Sequence, residues 1–238
     1  MSPIALPTWK DLCHGLLHLL YPNLCVGCNS DVQSTHHCFC ISCQRKLHPA
    51  NMHLLAENEF TERFWGRVPL VAGTALYYFN RKSPVQKALH QLKYQNQADV
   101  GVRLGRQLGY LLKQAPLFQT VEGIVPVPLH PKKERLRGYN QSAMLATGLS
   151  EALQVPVFAG ALVRQQFSES QTRKKRMDRF ENVSDVFAVR RPERIQGRHL
   201  LLVDDVLTTG ATLEACGQVL LEVPDIRLSM ATVAIAVH

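Results

Sequence analysis

Leu200 to Val203 are four apolar residues in a row, and the two residues that follow, Asp204 and Asp205, are both carboxylates. Beyond Val206 and Leu207 comes a bend of small residues, Thr208-Thr209-Gly210-Ala211-Thr212, which opens a helical pattern. No other stretch narrows the possible folds as far. An uninterrupted apolar run bounded by turn residues reads as a buried strand. A buried strand that feeds straight into a helix is the repeating unit of a parallel sheet. The chain is therefore expected to be α/β, with a twisted, mostly parallel sheet flanked by helices.

The same run carries chemistry. Ligands of open parallel sheets bind outside the carboxyl ends of the strands, and the unpaired N–H groups of a helix start receive phosphate. Carboxylates beside such a cradle point to a phosphorylated sugar, whose hydroxyls need acceptors. Neighbouring residues within a strand face opposite sides. At the strand's end, where the chain turns, Asp204 and Asp205 are expected to reach one ligand and accept from two vicinal hydroxyls. Thr208, Thr209 and Thr212 add hydroxyl donors, and Gly210 allows close backbone approach and a positive φ. An ordinary capped helix also uses Asp and Thr, but two consecutive acids before Thr-Thr-Gly-Ala-Thr exceed what a cap needs.

This stretch resembles the phosphoribosyl-pyrophosphate (PRPP) signature of the type I phosphoribosyltransferases. In that family two acids hold the ribose 2′- and 3′-hydroxyls and a Thr-Thr-Gly-x-Thr loop holds the 5′-phosphate. The resemblance implies that Asp204 and Asp205 are the catalytic pair on the ribose. It also implies that Leu207, Thr208, Thr209, Gly210, Ala211 and Thr212 form the 5′-phosphate loop. Magnesium in such enzymes sits mainly between the ribose hydroxyls and the pyrophosphate, so Mg2+ is expected to arrive with the ligand.

The chain's 238 residues suffice for one substantial α/β domain and a small module. Its net charge of +8 suggests an anionic partner, either a phosphorylated small molecule or nucleic acid. No stretch approaches the ~20 apolar residues of a membrane span. The run from Leu12 to Leu24 has neither a strongly basic start nor a small-residue cleavage site, so it does not read as a signal peptide. Trp9, Leu12, Leu16, Leu19 and Leu20 share one face at helical spacing, and an amphipathic helix over 1–21 is expected to pack on its own protein. A cytoplasmic location is expected.

Of seven cysteines, five fall between Cys25 and Cys43. Cys25-x-x-Cys28 and Cys40-x-x-Cys43 are paired knuckles separated by eleven residues. Four thiolates from two such turns can surround one zinc ion, at Zn–S distances of about 2.3 Å. Such a closed site is structural, and it would hold together a segment too small to fold alone. Cys38, His36 or His37 could each replace a knuckle ligand. Cys13 and Cys216 read as ordinary buried helix thiols. The expected organisation is an amphipathic helix over 1–21, a zinc ribbon over 22–50, a linker or insertion over 51–69 and the α/β domain over 70–238.

Within that domain, 70–79 has β-type content and reads as a first strand pair or hairpin. Ser83-Pro84 starts a helix, a second runs from about Asp99 to Lys113, and 123–129 is a short apolar run stiffened by Pro126 and Pro128. Behind it, residues 130–141 read as a loop whose Lys132, Lys133, Arg135 and Arg137 suit a pyrophosphate or a phosphodiester. A helix follows from about Asn140 to Leu153, then extended chain over 155–163. The polar, basic stretch 168–179 reads equally as a solvated loop or as a flap over a charged ligand. Strands are expected at 186–189, 200–203 and 226–237, and a helix over 209–222.

Taken in order, Cys25-x-x-Cys28…Cys40-x-x-Cys43, Leu92-Lys93-Tyr94, Val125-Pro126-Val127-Pro128-Leu129-His130-Pro131, Arg137-Gly138-Tyr139-Asn140-Gln141, Ser170-Gln171-Thr172, Arg179-Phe180-Glu181-Asn182-Val183 and the Asp-Asp-Val-Leu-Thr-Thr-Gly run resemble the ComF/GntX family. These are bacterial competence-associated proteins of type I phosphoribosyltransferase-like fold with an amino-terminal zinc ribbon. The resemblance implies a part in natural transformation, with internalised single-stranded DNA and proteins of the competence machinery as partners. Three activities stay open. A phosphoribosyltransferase would use Asp204 and Asp205 on the ribose, the basic residues on the pyrophosphate, and Lys93, Tyr94 or the ribbon as a hood over the sugar. A non-catalytic PRPP or nucleotide sensor would keep the pocket without an acceptor. A single-stranded nucleic-acid factor would use segments 132–137 and 173–179, with Tyr139 or Phe167 stacking a base.

Overall fold

The computed structural model describes residues 24–32, 38–95, 97–165 and 186–237. The helix expected over 1–21, Cys13, His36, His37, Phe167 and the stretch 168–183 lie outside the described residues.

Strands β1 (Ala72–Phe79), β2 (Gly123–Pro126), β5 (His199–Leu207) and β6 (Arg227–Ala236) form a parallel sheet in the order β1-β6-β5-β2. A short pair, β3 (Leu162–Arg164) and β4 (Phe187–Val189), runs antiparallel outside it. The two central strands read as apolar because both of their faces are covered, as parallel sheets require. On one face lie α3 (Pro84–Tyr94), α4 (Ala98–Lys113) and α6 (Gln141–Leu153), whose Leu92, Leu104, Leu108, Leu145 and Leu149 meet Leu201, Val203 and Val233. On the other lie α2 (Glu59–Glu62) and α7 (Ala211–Leu221), where Phe60, Phe64, Leu213 and Leu220 meet Leu200, Leu202, Leu228 and Met230. Two further short helices are α1 (Ile41–Gln44) and α5 (Pro131–Arg137).

Residues 70–79 do not form a hairpin. They contribute one strand, β1, which pairs in parallel with β6. Its outer edge is covered from upstream, where Pro49 bridges Tyr77 and the Tyr78 amide donates to the His48 carbonyl at 2.8 Å. Nor do residues 51–69 behave as a free linker. Asn58 and Thr61 form a reciprocal capping box at the start of α2, and Phe60 within it and Phe64 just past the helix are fully buried. The polar residues between those two phenylalanines hide the apolar pattern in so short a helix.

Helices α4 and α6 are closely packed. A Cβ on Gly148 would stand 1.9 Å from the Val102 carbonyl oxygen, and one on Gly105 would stand 2.1 Å from that of Leu145. Because the obstruction is backbone, it cannot rotate away. Gly148→Ala is expected to cost about 3 kcal/mol, the upper end for overpacking, and to lower Tm by roughly 6–12 °C in a chain this long. Scanning calorimetry checks this, and an unchanged Tm would contradict the close approach. Among the described residues, no helix is long and apolar enough to cross a membrane.

Candidate functional site

Strand β5 continues through both carboxylates to Leu207, which still pairs with Ile235. Asp204 and Asp205 therefore stand inside the strand, not beyond its end as the sequence suggests. They nevertheless reach partners on one helical layer. The β5–β6 ladder pairs Asp204 with Thr232 and Val206 with Ala234 but skips Asp205–Val233, and the β1–β6 ladder skips Leu76–Val233 at the same level. On one side of that level Val203 and Ala231 face the α3–α4–α6 layer; on the other Val206 and Ala234 do. That is an odd step, which strict alternation forbids. Through this irregularity the Ser142 hydroxyl, in the first turn of α6, donates to Asp204 Oδ1 at 2.8 Å. Lys93 Nζ, in the last turn of α3, lies 2.9 Å from Asp205 Oδ2. Burial, reinforced by the Asp205 charge, pushes the Asp204 pKa up to about 7, against the opposing hydrogen bonds from Ser142 and the Asp205 amide and the charge of Lys93.

After Leu207, whose side chain is buried, the chain bends with Thr208, Thr209 and Thr212 exposed. Gly210 caps α7 at φ +87°, a conformation L side chains rarely adopt. The bend thus exposes three hydroxyls beside the first-turn amides of α7, groups with no partner inside the helix. It is braced from the carboxyl end of α2 and the turn that follows it. Arg63 donates to the carbonyls of Thr208 and Ala236, the Phe64 ring lies where a Cβ on Gly210 would meet it at 3.3 Å, and Arg67 pairs with Glu214 of α7 at 2.5 Å. Sequence reasoning does not single out these residues, because they lie in the stretch that reads as a linker or insertion. The Asn58-x-x-Thr61 capping pattern was the one local signal that a helix stood there.

The basic segment is a helix, not a loop. Pro131 takes its first position, His130 Nδ1 accepts from the Lys132 amide at 3.1 Å, and Gly138 ends it at φ 80°. Between those stops stand good helix formers, whose charges masked the pattern. Lys133, Arg135 and Arg137 line a cleft of about 690 Å3 with Lys93, Tyr94, Leu136 and Gly138. Lys132, the fourth expected anion ligand, is not among the lining residues. The Arg137 guanidinium stacks 5.5 Å from the Tyr94 ring centre and donates to Gln141 at 2.9 Å. Tyr139 is not presented for stacking, since it packs on the core and its hydroxyl donates to the Leu92 carbonyl at 2.6 Å. Lys93 belongs to both places, as a wall of the cleft and as the partner of Asp205.

The sulfurs of Cys25, Cys28, Cys40 and Cys43 all lie within 4.8 Å of one another. A zinc tetrahedron with four thiolates has sulfurs about 3.8 Å apart, so this donor set fits zinc. Among the described residues it is the one cluster of three or more metal-ligating side chains. Hydrogen bonds centred on Ser30 lower the Cys28 and Cys40 pKa values, Cys40 to about 6, while burial raises that of Cys43. Cys38 is not in the cluster. It is buried in the core, where loss of water pushes its thiol up to about 12. The module docks through Lys87, which donates to the Gly27 carbonyl at 3.1 Å, and through Phe39, edge-on to Tyr77 at 6.1 Å.

Residues 140–236, from the start of α6 through β6, match the phosphoribosyl transferase domain family. Competence protein F of Haemophilus influenzae is 29% identical over 87% of this chain and 88% of its own length. Competence protein ComFC of Bacillus subtilis is 26% identical over 90% and 85%. The chain belongs to the ComF family. The DNA utilization protein YhgH of Escherichia coli K12 is 32% identical over 66% of each chain. The sheet of this ComF-family chain is that of a phosphoribosyltransferase-like domain, preceded by a four-cysteine module. Glutamine PRPP amidotransferase of B. subtilis overlaps with a TM-score of 0.38 at 18% identity, over 59% of this chain and 30% of that one.

Proposed function

We propose that the β5–α7 corner binds PRPP or a related phosphoribosyl ligand, and that the chain uses it in natural competence, in the handling of internalised single-stranded DNA. One observation carries the ligand reading: paired carboxylates near the carboxyl end of a central parallel strand lead directly into an exposed Thr-Thr-Gly bend that opens a helix. Asp204 and Asp205 would accept from the ribose hydroxyls, and Thr208 to Thr212 would take the 5′-phosphate. Lys133, Arg135 and Arg137 would receive the pyrophosphate in the neighbouring cleft. The role in competence is supported by the names of the H. influenzae and B. subtilis relatives and by that of the E. coli DNA utilization protein.

In this reading the residues divide the work of a transfer at C1. Breaking the bond to pyrophosphate builds positive charge on the ribose and negative charge on the leaving group. The carboxylates orient the ribose, and the cleft cations stabilise the departing anion. Magnesium would be held by carboxylate and ligand oxygens and would supply charge neutralisation. For a ribose hydroxyl to reach Asp205, Lys93 must leave that carboxylate, and it lines the cleft where the pyrophosphate would sit.

Calorimetric titration with PRPP and magnesium tests the reading. Saturable heat is expected for the wild type and loss of that heat for Asp205→Asn. A second reading rests on the cleft, whose cations and exposed Tyr94 suit single-stranded nucleic acid as well. Absence of PRPP heat, together with oligonucleotide binding that falls steeply with salt, would move the assignment there.

A further inference from the structure

Arg63 stands at the carboxyl end of α2 with only 14% of its side chain exposed, and its two terminal nitrogens serve different segments. Nη1 donates to the carbonyl of Thr208, and Nη2 donates to that of Ala236 at 2.5 Å, the last residue of β6. Glu59, 3.4 Å from Nη2, offsets part of its charge and itself accepts from the Tyr78 hydroxyl at 3.1 Å. The segment is pinned on either side, by Phe64 beneath Gly210 and by Arg67 on Glu214.

A partly buried guanidinium spanning two carbonyls does more than fill space. The peptide between Thr208 and Thr209 is trans, so its C=O and N–H point in opposite directions. Holding the Thr208 carbonyl down onto Arg63 turns the Thr209 amide up, to the exposed side of the bend where Thr208 and Thr209 present their hydroxyls. The same grip ties the bend to the end of β6, fixing it relative to the sheet. The cation also lies directly beneath a loop proposed to bind an anion, where positive charge strengthens every donor above it.

We infer that Arg63 is a positioning residue for the 5′-phosphate, holding the Thr208–Thr209 peptide with its N–H presented to the ligand. This rests on the phosphoribosyl reading and deepens it, since it makes the bend selective for the phosphate of the sugar rather than for the pyrophosphate of the basic cleft.

The test uses the full chain and two probes, ribose 5-phosphate and magnesium pyrophosphate. Arg63→Met, which keeps length and loses the donors, is expected to weaken ribose 5-phosphate by about 10- to 100-fold, the range for one charge-assisted hydrogen-bond network. Pyrophosphate affinity should stay within about twofold by the same arithmetic. Arg63→Lys keeps the charge but cannot span both carbonyls, and should fall between. In the wild type, saturating ribose 5-phosphate should shift the Thr209 amide resonance downfield, a reading that needs no variant to fold. Normal ribose 5-phosphate affinity in Arg63→Met, equal loss of both probes, or an unmoved Thr209 amide in a wild type that binds would overturn the role of Arg63 alone. A wild type that ignores ribose 5-phosphate would overturn the phosphoribosyl reading and the role together.

Discussion

Stripping zinc from the amino-terminal module is expected to lower Tm by roughly 10–20 °C, corresponding to about 5 kcal/mol in a chain of this length. The module is not an appendage that could melt alone. Cys25, Val26, Val32, Cys38, Phe39 and Cys43 share one buried cluster with Leu89, Leu92 and Leu104 of the main domain. Four thiols gathered within 4.8 Å give little cohesion without a cation between them, since the packing around them is that of two short turns and a one-turn helix. Losing the metal should therefore expose part of the α3–α4 face as well. Calorimetry before and after chelation, with metal content measured on the same samples, checks the effect. Cys40→Ser should act in the same direction. Preparations that contain no zinc when purified, or whose Tm is indifferent to its removal, would show that the cysteines serve some other purpose.

Asp204→Asn is expected to stabilise the fold while weakening PRPP binding by about 100-fold, the loss of charge-assisted hydrogen bonds to the ribose. The two effects have one cause. Folding raises the Asp204 pKa from its ordinary 3.8 to about 7, because the ionised form loses water and faces Asp205. The folded chain then holds more protons than the unfolded chain between about pH 4 and pH 7, so this group's contribution makes stability fall as pH rises through that window. Replacing the acid removes the penalty above it. At pH 8 the variant should melt a few degrees higher than the wild type, a gain of about 1–2 kcal/mol, and at pH 4 the advantage should vanish. Binding should run the other way in the wild type, weakening below about pH 7 as Asp204 takes a proton and loses the charge that strengthens its acceptance from a hydroxyl. A variant less stable at pH 8, or wild-type binding flat from pH 5 to 8, would contradict this account of the acid pair.

Much of this was present in local pattern. Ser83-Pro84 marks the start of α3, and the Ser83 hydroxyl does accept from the Gln86 amide at 3.2 Å. The knuckle spacing singles out the four cysteines that gather, leaving Cys38 to the core. The strand–bend–helix run gives β5 and α7, although it ends the strand too early. The ladder runs on past the carboxylates because Thr232, Ala234 and Ile235 pair with Asp204, Val206 and Leu207, and no property of Asp204 or Asp205 announces that. The basic segment reads as a loop for a different reason. In 130–138 the charges are conspicuous and the stops are not, yet His130, Pro131 and Gly138 are the stronger structural signal.

The sequence alone was sufficient for the parallel α/β class, the cysteine cluster and the candidate acids and bend, because each depends on residues close together in the chain, where spacing and turn chemistry act directly. Which groups meet those acids was decided only by folding. Ser142 lies 62 residues before Asp204, and Arg63 lies 145 before Thr208. Such pairs form because the helices have no other place to bury their apolar faces than against this sheet, and a contact that arises from the packing of whole elements leaves no trace in the spacing of the residues that make it.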